Sequence, residues 1–364
     1  MAKNLHILHL TLNSNFDGGT RYIYDLSESL VERGHQVSIA GQKTEWQEIF
    51  DKQSWPWLDL NIGGSFKQMV HASRVITKFV KENNVDLIHT HYRKASFVAK
   101  LVQIQCKIPF VFTVHLTDLP MGKITKALTF WGNQTHCPST QAKAWVKSVA
   151  KISNDRLHVI PHGIDPNAYK YATDTDKTIA REQLNLPKDK TVIGYVGRFG
   201  PVKNSQWLIR FAEHFSKQEL PIHLVAIGEG TEREGLKKKI KARRLEDYFT
   251  LLPFGSPMPV YHASDLIILP SKREGFSLVC LEAMATGCAV LRTATAGYED
   301  MIIEGTTGYA VPVDYQTFIN KTVQVCQHRE NLLQIGINAS NFVKEHLTHE
   351  KQVDAMVDLY RNTI

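Results

Sequence analysis

Glu274 and Glu282 stand in REGFSLVCLEAMATGC, residues 273–288, a stretch otherwise dominated by apolar side chains. A carboxylate in such surroundings is costly unless hydrogen-bonded or paired, and sugar hydroxyls are suitable donors. The preceding run, SDLIILPS, has the composition of a buried parallel strand, and SLVCLEAMAT, stopped by Gly287, that of a short helix apolar nearly all round. KREGF is then the turn at the strand's carboxyl end, with Glu274 on the turn and Glu282 two turns into a buried helix. The unpaired N–H groups near Gly275, Phe276, Ser277 and Leu278 favour a phosphate, and Gly275 lets the backbone come close. The competing reading is two structural glutamates held by backbone or by Arg273 and Arg292.

A second stretch, GYVGRFGPVKN, brings Arg198 and Lys203 onto a loop at the same end of the same predicted sheet. Two cations beside a helix N-terminus match a diphosphate's charge of about two. In DGGT, Gly18 and Gly19 mark a strand-to-helix turn near the start of the chain, a weaker signal because such turns are common.

The elements that must position these groups alternate strand and helix. LHILHL, HQVSIAG, VDLIHTH, PFVFTVH, QTHCPS and LHVIPHG read as strands of one series; TVIGYVG, IHLVAIGEG, DYFTLLPF, SDLIILPS and CAVLRT as strands of another. Ile23, Leu26, Leu30 and Val31 share one helical face, and residues 65–82 form a helix with a stripe that includes Phe66, Met69, Ile76 and Val80. Periodicity weakens over residues 165–190, as in a connection between domains. The expectation is α/β architecture: two Rossmann-like, doubly wound domains, 1–168 and 169–348, facing across a cleft with ligand at the strands' carboxyl ends.

Composition narrows the class. The 364 residues include 43% hydrophobic and 22% charged, without low-complexity tracts, as in a globular protein of about two domains. No run approaches the ~18 apolar residues of a spanning helix, and the start does not read as a signal segment. Five scattered cysteines suggest reduced thiols, hence a cytoplasmic protein. Residues 1–172 hold 20 Lys and Arg against 13 Asp and Glu, while the remainder holds 23 of each, so the whole +7 lies in the first half. An anionic partner suits that half: a membrane face or a phosphorylated acceptor, but not nucleic acid, since no RNA or DNA motif is present. DTD at Asp174–Asp176 imitates a metal-binding triplet but lies in the polar connection, and GEGTEREG lacks the spacing of a dinucleotide fingerprint. His89 and His91 with His115 could be drawn as a metal triad, but strand-end histidines are the simpler reading.

Together these residues identify a resemblance to the family 4 retaining glycosyltransferases of the GT-B fold, over nearly the full length. PSKREGFSLVCLEAMATGCAV is similar to that family's E-x7-E motif, with Ser277 for its Gly and Cys288 for its Pro; GRFGPVKN, VIPHGID and TVH at residues 113–115 resemble three further family segments. In VIPHGID, His162 replaces the usual Asn. ATAGYEDMIIEGTTGYAV is similar to a fourth, with Glu299 at its glutamate.

The resemblance implies that Arg198 and Lys203 bind a donor diphosphate, Glu282 the ribose and Glu274 the transferred sugar, assisted by the amides of Gly275, Phe276, Ser277 and Leu278. His115 would lie beside the sugar's reacting face, Gly18 and Gly19 would approach the diphosphate, and Phe254 and Gly255 would meet the base. The implied activity is a retaining hexosyltransferase needing no metal or other cofactor. It would move a sugar from a nucleoside-diphosphate sugar, UDP favoured over GDP, to a saccharide or lipid-linked acceptor in cell-envelope or polysaccharide (lipopolysaccharide) synthesis. Its place would be the cytoplasm, with peripheral attachment to the membrane's inner face, and the final helix, 349–364, would cross back to the first domain. A same-fold sugar-nucleotide epimerase and a non-catalytic sugar-nucleotide-binding subunit are the alternatives.

Overall fold

The computed structural model describes residues 3–15, 17–117 and 120–364, which form two compact units: Met1–His162 with Glu350–Ile364, and Gly163–His349. In the first unit the chain runs β1 (His6–Asn13), α1 (Gly18–Glu32), β2 (Gln36–Gln42), α2 (Gln47–Asp51), β3 (Trp57–Asp59), α3 (Phe66–Glu82), β4 (Leu87–Thr90), α4 (Arg93–Cys106), β5 (Phe110–Thr113), α5 (Lys123–Ala127), β6 (Gln134–Cys137), α6 (Thr140–Val149) and β7 (Leu157–Val159). The strands form a parallel sheet in the order β3-β2-β1-β4-β5-β6-β7. Side chains alternate across it. Leu8, Leu10 and Ile88 pack with Ile76 of α3 and Val98 of α4, while Ile7, Ile39, Leu87 and Val111 pack with Ile23 and Leu26 of α1. Both faces are covered, which is why these strands read as apolar runs. His9 and His89, paired in register on β1 and β4, are fully buried.

The second unit runs α7 (Asp174–Gln183), β8 (Thr191–Val196), α8 (Gln206–Lys217), β9 (Ile222–Ile227), α9 (Arg233–Ala242), β10 (Phe249–Leu251), α10 (Met258–Ala263), β11 (Leu266–Leu269), α11 (Leu278–Ala285), β12 (Ala289–Thr293), β13 (Tyr309–Val311), α12 (Tyr315–Cys326) and α13 (Arg329–His346). Its parallel sheet has the order β10-β9-β8-β11-β12-β13. Ile193, Leu224 and Ile268 face α8 and α12; Val192, Val225 and Ile267 face α10, α11 and α13. The last helix, α14 (His349–Arg361), belongs to the first unit, where Val353, Met356 and Tyr360 join the core beside α1.

Several elements differ from what the sequence suggests. The stretch 165–190 is not a bare connection. Thr173 caps α7 through a reciprocal box with Asp176, and the buried Arg181 reaches Asp265 at 2.6 Å. The first unit therefore closes at His162, because the chain beyond it already bonds to the second: Ile164 N–H to Leu347 O, and Ala172 N–H to Thr286 O. β3 and β13, of three residues each, are too short to show a period. Val31 and Phe66, placed on buried helical faces by periodicity, are 40% and 64% exposed. No helix among the described residues is long and apolar enough to cross a membrane.

Packing leaves no room for a side chain where α13 crosses the turn between α11 and β12. A Cβ built on Gly336 would lie 1.9 Å from the carbonyl oxygen of Gly287, which is backbone and cannot rotate away. Gly336→Ala is expected to destabilise the second unit by about 2–4 kcal/mol despite alanine's better helix propensity; a denaturation midpoint equal to or above that of the wild type would contradict this packing.

Candidate active site

In the second sheet the strand order reverses between β8 and β11, the place where open α/β sheets leave a crevice at the strands' carboxyl ends. The two loops leaving these strands are tied together. Lys272 N–H donates to Val202 O at 2.7 Å, and the Asn204 side-chain amide to Pro270 O at 2.7 Å, with Asn204 in the left-handed region at φ 51°. Across this seam the Lys203 ammonium donates to Glu274 Oε1 at 2.6 Å, with side-chain exposures of 32% and 10%. Burial by itself would push the Glu274 carboxyl up; the Lys203 charge and hydrogen bond, the Ser271 hydroxyl and Arg292 outweigh it and hold the group below its ordinary value. Glu274 is thus ionised and charge-compensated.

The segment after Glu274 leads into α11. Ser277 is the cap: its hydroxyl accepts from Cys280 N–H at 3.3 Å, so the side chain is turned onto its own helix. Gly275 and Phe276 are buried and backed by the loop after β12, where Gly297, at φ 81°, would place a Cβ 3.1 Å from Gly275 O. Helix α11 begins at Leu278, later than the sequence suggests, which puts Glu282 just past its first turn, and the residue is partly exposed, not buried. Two phenols donate to its carboxylate: Tyr169 Oη to Oε1 at 3.0 Å, and Tyr261 Oη to Oε2. Burial and the neighbouring carboxylate push the Tyr261 phenol up, so it stays protonated and keeps donating. The two phenols supply donors that the sequence alone did not reveal, and each carboxylate oxygen keeps further acceptor capacity.

Arg198 lies on the same loop as Lys203 and is exposed; its carbonyl accepts from Tyr195 Oη at 2.9 Å. Gly228 and Gly230 of GEGTEREG serve packing. A Cβ on Gly228, at φ 152°, would lie 1.9 Å from Gly197 O, and Phe199 N–H donates to Glu229 O. Phe254 and Gly255 follow β10, the sheet's edge strand, and are exposed, with open space where Gly255 would carry a Cβ. Glu299 is exposed in the loop after β12.

In the first unit the order reverses between β1 and β4. Gly18 and Gly19 are the first residues of α1 and not a free loop; Asp17 caps it through Thr20 N–H at 2.8 Å. A Cβ at Gly19 would lie 2.5 Å from Tyr92 Oη. His115 follows β5, with the His91 and Tyr22 rings 5.3 and 5.4 Å away. His162 is buried, 4.5 Å from the Tyr22 ring. The metal grouping drawn from His89, His91 and His115 is replaced by His9, His89 and His91, whose ligand atoms lie within 4.8 Å of one another. Of the residues missed in sequence, Asn204, Tyr169, Tyr261 and Tyr22 act through fold contacts between distant segments and carry no local signature, while Ser271 acts within the turn itself.

Comparison with known proteins gives these sites a context. Residues 176–342 match the family model "Glycosyl transferases group 1", and residues 16–168 match "Glycosyltransferase Family 4". The chain is similar to the D-inositol 3-phosphate glycosyltransferase of Geodermatophilus obscurus, 26% identical over 76% of this chain and 66% of that protein, so it spans just under two thirds of that relative. It is also similar to the N-acetyl-alpha-D-glucosaminyl L-malate synthase of Bacillus anthracis, 22% identical over 93% of this chain and 92% of the relative. Among solved structures, Anabaena HepE in complex with UDP superposes with a TM-score of 0.86 at 18% identity, covering 98% of this chain and 100% of the other. The architecture is the GT-B fold.

The buried histidines of the first unit, with the half-buried His115, set its response to acid. Burial pushes His9 and His115 down to about 3 and His136 to about 4, and holds His89 and His91 well below 6.5. Unfolding restores the ordinary 6.5, so below that pH the unfolded chain binds more protons than the folded one. Stability therefore falls as pH drops below about 6.5, by up to about 1.4 kcal/mol per pH unit for each ring. Denaturant midpoints measured from pH 7.5 down to pH 5 are expected to fall continuously; a flat profile would show that the rings are not buried neutral.

Proposed function

We propose that this GT-B-fold chain, whose two halves match the group 1 and family 4 glycosyltransferase models, is a retaining glycosyltransferase. It moves a sugar from UDP-sugar to a saccharide or lipid-linked acceptor. The observation that carries the reading is the Lys203–Glu274 pair at the switch point beside the start of α11. Departure of a nucleoside diphosphate concentrates negative charge on its oxygens while the anomeric carbon becomes cationic. Arg198, Lys203 and the amides from Gly275 to Leu278 stabilise the first charge most in the transition state, where it is largest. These groups, rather than a divalent ion, balance the diphosphate. Glu274 accepts from hydroxyls of the transferred sugar, and Glu282, steadied by Tyr169 and Tyr261, from the ribose. Phe254 and Gly255 meet the base, while Gly18, Gly19 and His115 are the first domain's contribution. Retention then follows if the acceptor hydroxyl bonds to the anomeric carbon on the face where the carbon–diphosphate bond breaks, its proton passing to an oxygen of the departing diphosphate. UDP is favoured because HepE was solved with UDP.

The acceptor is anionic on this reading. The two relatives are named for inositol 3-phosphate and L-malate, and residues 87–154 of this chain hold nine Lys and Arg against one Asp. Exposed Ile124 and Leu128 beside exposed Lys123 and Lys126 suit attachment to an anionic membrane face, where a lipid-linked acceptor would be met. A cytoplasmic location and a role in cell-envelope polysaccharide synthesis belong to the same proposal.

Glu274→Gln and Lys203→Met are each expected to lower kcat/KM for UDP release from a UDP-sugar in the presence of acceptor by about 10²–10³, with far-ultraviolet circular dichroism unchanged. A new sugar nucleotide formed from donor alone would identify an epimerase, and binding without turnover a non-catalytic subunit. Sedimentation with anionic vesicles at low salt tests the membrane contact; loss of Ile124 and Leu128 to serine is expected to release the protein, and failure of the wild type to sediment would remove that part of the proposal.

A further inference from the structure

Three imidazoles of the first unit form a continuous hydrogen-bonded row. His9 Nδ1 lies 2.9 Å from His91 Nε2, and His91 Nδ1 lies 3.1 Å from His115 Nε2. His9 and His91 are buried, and His115 at the end of the row is partly exposed. A contact between two neutral imidazole nitrogens needs one N–H and one lone pair, and a neutral ring has only one N–H. The tautomers are therefore coupled: choosing one fixes all three.

Two arrangements satisfy both contacts, and they differ at the ends. In one, His115 Nε2–H donates to His91 and His91 Nε2–H to His9, leaving an N–H on His9 Nε2. In the other, His9 Nδ1–H donates to His91 and His91 Nδ1–H to His115, leaving a lone pair on His9 Nε2 and the proton of His115 on Nδ1. His9 Nε2 is buried without a hydrogen-bond partner among the described residues. Orphaned buried N–H groups are the rarer kind of unsatisfied polar group, so the second arrangement wins. A metal at His9, His89 and His91 would need a lone pair from each ring. Both nitrogens of His89 are already engaged, Nε2 with Thr113 Oγ1 at 2.6 Å and Nδ1 with Tyr360 Oη at 2.7 Å.

We infer that His9 and His91 are positioning residues that hold His115 as its Nδ1–H tautomer, so that this ring offers a hydrogen-bond donor and not an acceptor. With the reading of His115 as a neighbour of the transferred sugar, on which this use of the row rests, the donor meets a sugar oxygen. A free imidazole prefers its proton on Nε2, so the row works against the intrinsic bias.

The test is long-range proton–nitrogen correlation on the full chain labelled with ¹⁵N-histidine at pH 7.5, where the two ring nitrogens of each tautomer are separately resolved, with His115→Gln to assign its signals. The wild type is expected to show His115 protonated on Nδ1. His91→Leu is expected to move that proton to Nε2 while His89 and His136 keep their signals, and to lower kcat/KM about five- to tenfold. A wild-type His115 protonated on Nε2, or a His115 signature identical in wild type and His91→Leu, would overturn the inference. UDP-glucose added to the same sample separates the two readings: a tautomer as expected with no response to the nucleotide sugar supports the row and counts against the donor site.

Discussion

One lysine and one glutamate neutralise each other at the carboxyl edge of the second sheet, and the surrounding chain is shaped by that constraint. Glu274 is nearly buried, so without Lys203 its charge would be left to Ser271 and the more distant Arg292 in a poorly solvated place. The loops that carry the two residues must therefore be held in fixed relation. Asn204 does this by adopting a left-handed backbone and bonding to Pro270 O, and the Lys272 to Val202 bond repeats the tie a few residues away. The glycines at 197 and 228 let a third loop pack against the first. Positioning of two charges thus accounts for conformations in three separate loops.

The same economy holds for Glu282. A carboxylate near the start of an apolar helix is kept in place by two phenols from segments 113 and 21 residues away in sequence. Both donors are oriented by packing, one of them fully buried, so the carboxylate is preorganised before any ligand arrives. In the first unit, preorganisation takes another form. Buried imidazoles on neighbouring strands are deprived of water, and satisfy one another or nearby hydroxyls and carbonyls, which converts a packing problem into a defined arrangement of protons.

What the amino-acid sequence determined by itself was whatever depends on local pattern and unusual composition. The alternation of strand and helix, the apolar strands β8, β11 and β12, the turn that carries Glu274 and the neighbouring Arg198 and Lys203 were all legible, because parallel strands buried on both faces cannot disguise their composition and a charged turn between apolar runs stands out. Tertiary structure alone decided the rest. Helix α7 looked like a linker because it buries little beyond Ala180 and Arg181, and Arg181 becomes a sensible core residue only when Asp265, from 84 residues away, lies beside it. Glu282 looked in need of a ligand because Tyr169 and Tyr261 are distant in sequence, and His9 looked like an ordinary strand residue until β1 and β4 were set in register. Partners that meet only through folding leave no period, spacing or motif in the chain, so their chemistry is fixed by sequence yet visible only in space.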